Sequence, residues 1–111
     1  MKKIYLPAFF IGLFLSTSSL QAQNCSQGDA NAPRNYSLYK EYFKQEAYDK
    51  ALPFWRKSFE NSPGFRKSIF VDGADLFTAL IDKSEDKVLK EKYIDTLLNI
   101  YDKRIQCWGD E

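Results

Sequence analysis

Apolar residues recur at helical spacing from about residue 36 onward, and this pattern predicts four helices. The first of them carries Leu38, Tyr39, Tyr42 and Phe43 on one side. The predicted helices cover about residues 36–45, 48–61, 66–82 and 87–106. No part of the sequence shows the alternating pattern of a β-strand. The sequence therefore predicts an all-α fold whose helices are joined by short loops.

Two helix boundaries are left open by the sequence. Asn35 and Ser37 are both candidate N-caps of the first helix, because their side-chain oxygens can accept a bond from a free backbone N–H group. Pro53 lies inside the second helix, where its missing amide hydrogen costs about 3 kcal/mol. Either that helix bends at Pro53, or it begins nearer to Pro53 than its apolar pattern indicates.

The first 22 residues have the order of a secretory signal peptide. A basic start is followed by twelve uncharged residues, 4–15, and then by small and polar residues that end at Ala22. Such a segment is too short to cross a bilayer, which takes about 20 residues. We therefore expect cleavage after Ala22, export to the periplasm or cell envelope, and no transmembrane helix in the mature chain. Residues 23–34 contain Gly28 and Pro33 but no periodic apolar residue, and are predicted to be a flexible lead-in.

The two cysteines allow three interpretations, which the sequence leaves open. Export to an oxidising compartment would allow a disulfide between Cys25 and Cys107. Two unpaired thiols are the second interpretation. In the third, Cys25 carries a lipid as in a bacterial lipoprotein, although Gln23 and Asn24 are not the small residues that normally precede such a cysteine.

Composition excludes several classes of site. The chain has 111 residues, with 16 Lys and Arg, 15 Asp and Glu, and no histidine. The lack of histidine excludes a Ser-His-Asp triad, and two cysteines cannot supply a zinc site of the Cys/His type. The formal charge of +1 falls to −1 once Lys2 and Lys3 leave with the signal peptide, which argues against nucleic-acid binding. We expect no catalytic residue, no metal and no cofactor.

Between residues 38 and 63, aromatic and small residues lie between an initial leucine and a closing proline. The positions are Leu38, Tyr42, Tyr48, Ala51, Trp55, Ser58 and Pro63. This spacing resembles the tetratricopeptide repeat (TPR), in which small residues let two helices approach and aromatic residues fill the interface. The chain departs from the pattern at Tyr39, where a small residue is usual, and at Glu46, where the turn usually has a glycine.

Counting one repeat onward places Gly73 at the small position of a second, degenerate copy. The resemblance thus implies antiparallel helical hairpins of a TPR-like solenoid over residues 35–108, with a first repeat at 35–63 and a second helical pair at 66–106. The segments also look like the N-terminal part of exported TPR proteins of Bacteroidota-type bacteria, which generally continue with further repeats. By this resemblance, Tyr39, Lys40 and Phe43 would line the groove that takes a partner's peptide segment.

Charged residues supply two further candidates. Asp72 and Asp75 share a helix face, and paired carboxylates can serve acid–base chemistry or bind a hard cation. We interpret both as part of a solvated polar face. A candidate basic patch, suited to an acidic peptide or an anionic lipid, consists of Arg56, Lys57, Arg66 and Lys67.

Together these features predict an exported scaffold or adaptor that binds another protein, binds no nucleic acid and performs no catalysis. One alternative is a module that binds a glycan or another small ligand through exposed aromatic rings, since 14 of the 18 aromatic residues lie after residue 22. The other alternative is a truncated fragment of a longer TPR protein that has no independent function.

Overall fold

The computed structural model describes residues 25–109, and these residues form four α-helices without a strand. The helices are α1 (Ala32–Lys44), α2 (Tyr48–Asn61), α3 (Ser68–Lys83) and α4 (Lys87–Trp108). The predicted all-α fold with four helices is confirmed for this part of the chain. None of the described helices is long and apolar enough to span a membrane. The predicted signal peptide, residues 1–22, lies outside the described residues.

Helix α1 begins four residues before its predicted start, so Asn35 and Ser37 lie inside the helix and the prediction that one of them caps it is wrong. Pro33 occupies the first turn, where a missing amide hydrogen breaks no helical bond. The turn before the helix is held by Asp29, whose carboxylate accepts a hydrogen bond of 2.9 Å from the amide of Asn31. The last residues of the predicted lead-in, 32–34, therefore belong to α1.

The other helix boundaries lie close to their predicted positions. Helix α2 begins at Tyr48 and continues through Pro53, so the alternative start nearer to Pro53 is wrong. Helix α3 begins at Ser68, two residues later than predicted. Helix α4 starts after Asp86, whose carboxylate accepts a 3.2 Å bond from the amide of Leu89. This cap satisfies one of the amides that have no partner inside the helix.

Consecutive helices pack against each other: α1 on α2, α2 on α3, and α3 on α4. Trp55 lies at the centre of this arrangement and is fully buried. Its ring stacks on Phe59 at 4.8 Å between centroids and meets the edge of Phe77 at 5.2 Å. Its indole nitrogen donates a 2.8 Å hydrogen bond to the carbonyl of Ile69, so the polar atom of this large ring is satisfied inside the core.

The segment that precedes α1 is tied to the rest of the chain. Cys25 forms a disulfide with Cys107 in the last turn of α4, with a Cα–Cα distance of 5.6 Å. Beside it, the amide of Gly64 donates a 2.7 Å hydrogen bond to the carbonyl of Ser26. Residues 25 and 26 therefore lie between the α2–α3 turn and the end of α4, and neither described cysteine is free.

The turn between α1 and α2 holds a non-glycine residue in the left-handed backbone region. Glu46 has a φ of 59°, and it is the position at which the repeat pattern usually has glycine. A side chain in this conformation costs about 1–2 kcal/mol. Because glycine also loses more chain entropy on folding, we expect Glu46→Gly to raise the free energy of unfolding by only about 0.5–1 kcal/mol.

Urea unfolding of the Glu46→Gly variant measures this change. Glu91→Gly is the matched control, because Glu91 is exposed in the interior of α4 and glycine there should destabilise the protein by about 1 kcal/mol. If both variants lower the free energy of unfolding by the same amount, the account of the turn is contradicted.

Candidate functional site

Side chains of α1 and α3 meet directly, and their contacts define the surface that we name the α1–α3 face. It consists of Tyr36, Tyr39 and Lys40 on α1, and of Ser68 and Asp72 on α3. These residues lie 29 to 33 positions apart in the chain. The face therefore exists only when the two helices lie side by side.

Asp72 is the centre of the polar contacts on this face. One carboxylate oxygen accepts a 2.7 Å hydrogen bond from the Tyr39 hydroxyl and a 2.9 Å bond from the Lys40 ammonium group. Asp72 is only 8% exposed and Tyr39 is fully buried. A buried carboxylate is costly unless it is paired and hydrogen-bonded, and here both conditions are met. The three side chains thus fix the position of α1 against α3.

Both partners of Asp72 have shifted pKa values. Burial raises the pKa of the Tyr39 hydroxyl far above its usual value, and the hydrogen bond to Asp72 and the negative charge of Asp72 act in the same direction. For Lys40, burial lowers the pKa, but the hydrogen bond and the charge of Asp72 outweigh it, so the pKa is raised. The lysine therefore stays charged and the phenol stays protonated at neutral pH.

Aromatic rings border this network on its accessible side. The half-buried Tyr36 shares a 2.6 Å hydrogen bond with the Ser68 hydroxyl and meets the ring of Phe65 edge-on at 5.7 Å. The exposed guanidinium of Arg66 lies 4.3 Å from the centre of the Phe65 ring. Lys40 is already paired with Asp72, whereas the guanidinium of Arg66 is exposed at this edge of the face.

The predicted partner groove is only partly compatible with these contacts. Tyr39 has no exposed surface, so the prediction that it lines a groove is wrong. The reason is that its ring belongs to the buried core and its hydroxyl donates a hydrogen bond to Asp72. Lys40 and Phe43 are both partly exposed, although Phe43 packs its ring against Tyr48 at 6.0 Å. For these two residues the groove stays a prediction.

The interpretation of Asp72 as part of a solvated polar face is wrong, because its side chain is buried. Asp75 is exposed, as that interpretation requires. Asp72 instead lies at helical spacing between Ile69 and Leu76, which are both fully buried. With Ile69 and Leu76 counted among its apolar positions, the apolar side of α3 is wide enough to include Asp72.

The four residues of the candidate basic patch have different surroundings. Arg56 lies 5.5 Å from the centre of the Phe77 ring and borders a cleft between α2 and α4. Lys57 borders a separate polar cleft of about 690 Å³ beside the segment that precedes α1. Arg66 lies on Phe65, and Lys67 directly precedes α3. Their use as a common binding surface stays a prediction.

The residues at the TPR-like positions differ in their burial. Leu38, Tyr42 and Tyr48 are half-buried, whereas the remaining members of the set have little or no exposed surface. These remaining members are Ala51, Trp55, Ser58, Pro63 and Gly73. The space at Gly73 is filled by the indole of Trp55, which lies directly against its Cα.

The raised pKa of Tyr39 predicts a loss of stability in alkaline solution. The unfolded chain releases this phenol proton from about pH 10, whereas the folded chain retains it. The free energy of unfolding should therefore fall above pH 10, with Tyr39 contributing up to about 1.4 kcal/mol per pH unit. Lys40, whose pKa is also raised, contributes with the same sign at higher pH.

Urea unfolding between pH 8 and pH 11 measures this slope. Tyr39→Phe should make the slope shallower than in the wild type, because the titrating group is gone. Val88→Ala alters an exposed side chain of α4 that has no titratable group, and it serves as the control that keeps the wild-type slope. An unchanged slope in Tyr39→Phe would contradict the assignment.

No group of three or more His, Cys, Asp or Glu side chains within residues 25–109 is placed to hold a metal ion. The α1–α3 face and its edge carry aromatic rings, hydroxyls and the exposed guanidinium of Arg66, which are groups that bind other molecules by contact. Comparisons of the chain with protein-family models, with curated proteins and with solved structures identify no match.

Proposed function

We propose that this chain is an exported, TPR-like scaffold that binds another protein through the α1–α3 face and performs no catalysis. The observation that carries the proposal is the fixed position of this face. Buried and paired side chains hold α1 against α3, while Tyr36, Phe65 and Arg66 stay partly accessible at its edge. A preorganised face loses little conformational entropy when a partner binds.

The packing of the helices supports a repeat arrangement. Consecutive helices contact each other, α1 and α3 share the α1–α3 face, and α2 and α4 border a common cleft. This is the order expected of two stacked helical hairpins, in which each hairpin contacts only its neighbour. Gly73 supports it as well, because its lack of a side chain allows α3 to approach Trp55 on α2.

The disulfide supports export. Cys25 and Cys107 are joined, and such bonds persist in oxidising compartments such as the periplasm. Together with the signal-peptide pattern of residues 1–22, this favours a mature protein in the periplasm or cell envelope. A bridged Cys25 has no thiol to carry a lipid, so the proposal does not include lipidation.

The chemistry of the face indicates the kind of partner. Tyr36 and Phe65 offer aromatic surface, and Arg66 offers a guanidinium that can bind a carboxylate with two hydrogen bonds. Aromatic and arginine side chains carry much of the binding energy of protein interfaces. We therefore propose a peptide segment that presents an apolar side chain next to an acidic one.

Affinity capture from a cell-envelope extract tests this function. The bait is the mature, disulfide-bonded chain. It is compared with the Arg66→Glu variant and with a control, Lys92→Glu, which makes the same charge change at an exposed position of α4. We expect a protein that the wild type and Lys92→Glu recover and that Arg66→Glu loses. Recovery that is equal for all three baits, or no specific recovery, would contradict the proposal.

A further inference from the structure

Helix α4 carries an apolar stripe that no described residue covers. The stripe consists of Ile94, Leu98, Tyr101 and Ile105, which are between 40% and 56% exposed. Their spacing of four, three and four residues places them on one side of the helix, over a length of about 16 Å. This α4 stripe is distinct from the side of α4 that faces α3, where Ile100 and Cys107 are buried.

The two edges of the α4 stripe carry opposite charge. Asp95 and Asp102 each follow a stripe residue and form an acidic edge. On the other edge, Arg104 directly precedes Ile105, and Lys90 lies about one helical turn before Ile94. Stripes of this spacing pair with each other in coiled coils, where the flanking charges decide the orientation of the two helices. A surface that is apolar in the middle and opposite in charge at its edges is self-complementary.

We propose that the α4 stripe binds the α4 stripe of a second copy of this chain, with the two helices parallel. A parallel pair places the basic edge of each helix beside the acidic edge of the other, so Lys90 faces Asp95 of the second copy, twice by symmetry. An antiparallel pair would instead place the two acidic edges together, with Asp95 opposite Asp102 of the second copy. Like charges in that position repel, so the contacts between these edge charges favour the parallel dimer.

The size of the α4 stripe determines how tightly two copies are expected to bind. Stable interfaces bury about 1,200–2,000 Å² in total, and three helical turns on each copy offer less than this. The dimer should therefore be reversible, with a dissociation constant of about 10–100 μM. Sedimentation across about 1 μM to 1 mM covers this range.

The first test is Leu98→Glu, which places a charge in the middle of the α4 stripe. Because Leu98 is 56% exposed, the variant should fold like the wild type, as far-ultraviolet circular dichroism will show. Sedimentation velocity should show a concentration-dependent dimer for the wild type and a dissociation constant raised about tenfold or more for Leu98→Glu.

Val71→Glu is the matched control, because Val71 is 44% exposed on α3, away from the α4 stripe. It should dimerise like the wild type. A wild type that stays monomeric at all concentrations overturns the proposal. So does a dimer that Leu98→Glu does not weaken, or one that Val71→Glu weakens equally.

A charge change then decides the orientation. Asp95→Lys should weaken a parallel dimer, because Lys90 would face a lysine, and the exchange Lys90→Asp with Asp95→Lys should restore it. In an antiparallel dimer the same Asp95→Lys substitution would face Asp102 and strengthen the association. A strengthened or unchanged dimer in Asp95→Lys overturns the parallel arrangement.

Discussion

Reduction of the Cys25–Cys107 disulfide is expected to lower the free energy of unfolding by about 4 kcal/mol. The bridge joins residues 82 positions apart, so it removes a large share of the conformational freedom of the unfolded chain. It also holds residues 25 and 26 against the α2–α3 turn, where Ser26 accepts a bond from Gly64. For a domain this small, such a loss is a large part of the total stability.

Urea unfolding with and without a reducing agent measures this effect. The double variant Cys25→Ser with Cys107→Ser should match the reduced wild type and should not respond to the reducing agent. The intact mass of the oxidised wild type, two hydrogens lighter than the reduced form, verifies that the bridge is present. A change in unfolding free energy below about 1 kcal/mol would contradict the role that we assign to the disulfide.

Gly73→Ala should destabilise the protein by about 2–3 kcal/mol, although alanine is the better helix former by about 1 kcal/mol. A Cβ atom at this position would lie 2.5 Å from Cζ2 of Trp55 and 2.8 Å from its Nε1. Trp55 is fully buried and is held by its bond to Ile69, so its indole cannot move aside without repacking the core. The added methyl group should therefore push α3 away from α2.

A double-mutant cycle with Trp55→Phe isolates this contact. Phenylalanine lacks the part of the indole that the new methyl group would meet. Gly73→Ala should therefore lower the free energy of unfolding much less in the Trp55→Phe background. Thermal and urea unfolding of the four proteins give the coupling energy. If Gly73→Ala lowers the free energy of unfolding equally in both backgrounds, the glycine is not required by the close approach of α3 to Trp55.

The helical periodicity of the sequence was sufficient to predict four helices and both ends of α2. The start of α1 was missed because proline and polar residues suggested a loop, whereas Pro33 is compatible with a first helical turn. The cysteines could not be assigned from the sequence, since pairing depends on whether two Cα atoms come close together. In the structure these atoms lie 5.6 Å apart.

The α1–α3 face was harder to predict than the helices. Its polar contacts join Tyr39 and Lys40 to Asp72, and no local pattern relates residues more than 30 positions apart. The TPR resemblance pointed to Tyr39 as a groove residue, yet a large ring at a position that usually holds a small residue becomes part of the core. The available indication of a buried contact was that Asp72 lies at helical spacing between two apolar residues, Ile69 and Leu76.

In-cell photo-cross-linking tests most directly whether the α1–α3 face binds a protein. A photoreactive phenylalanine analogue is placed at Phe65, where it keeps an aromatic ring beside Arg66 at the edge of the face, and in a second strain at Lys92 on α4. After irradiation of living cells, the cross-linked species are identified by mass spectrometry. We predict a specific cross-link from position 65 to a protein of the cell envelope and none to that protein from position 92. The absence of any specific cross-link from position 65, or the same cross-link from both positions, would contradict the account.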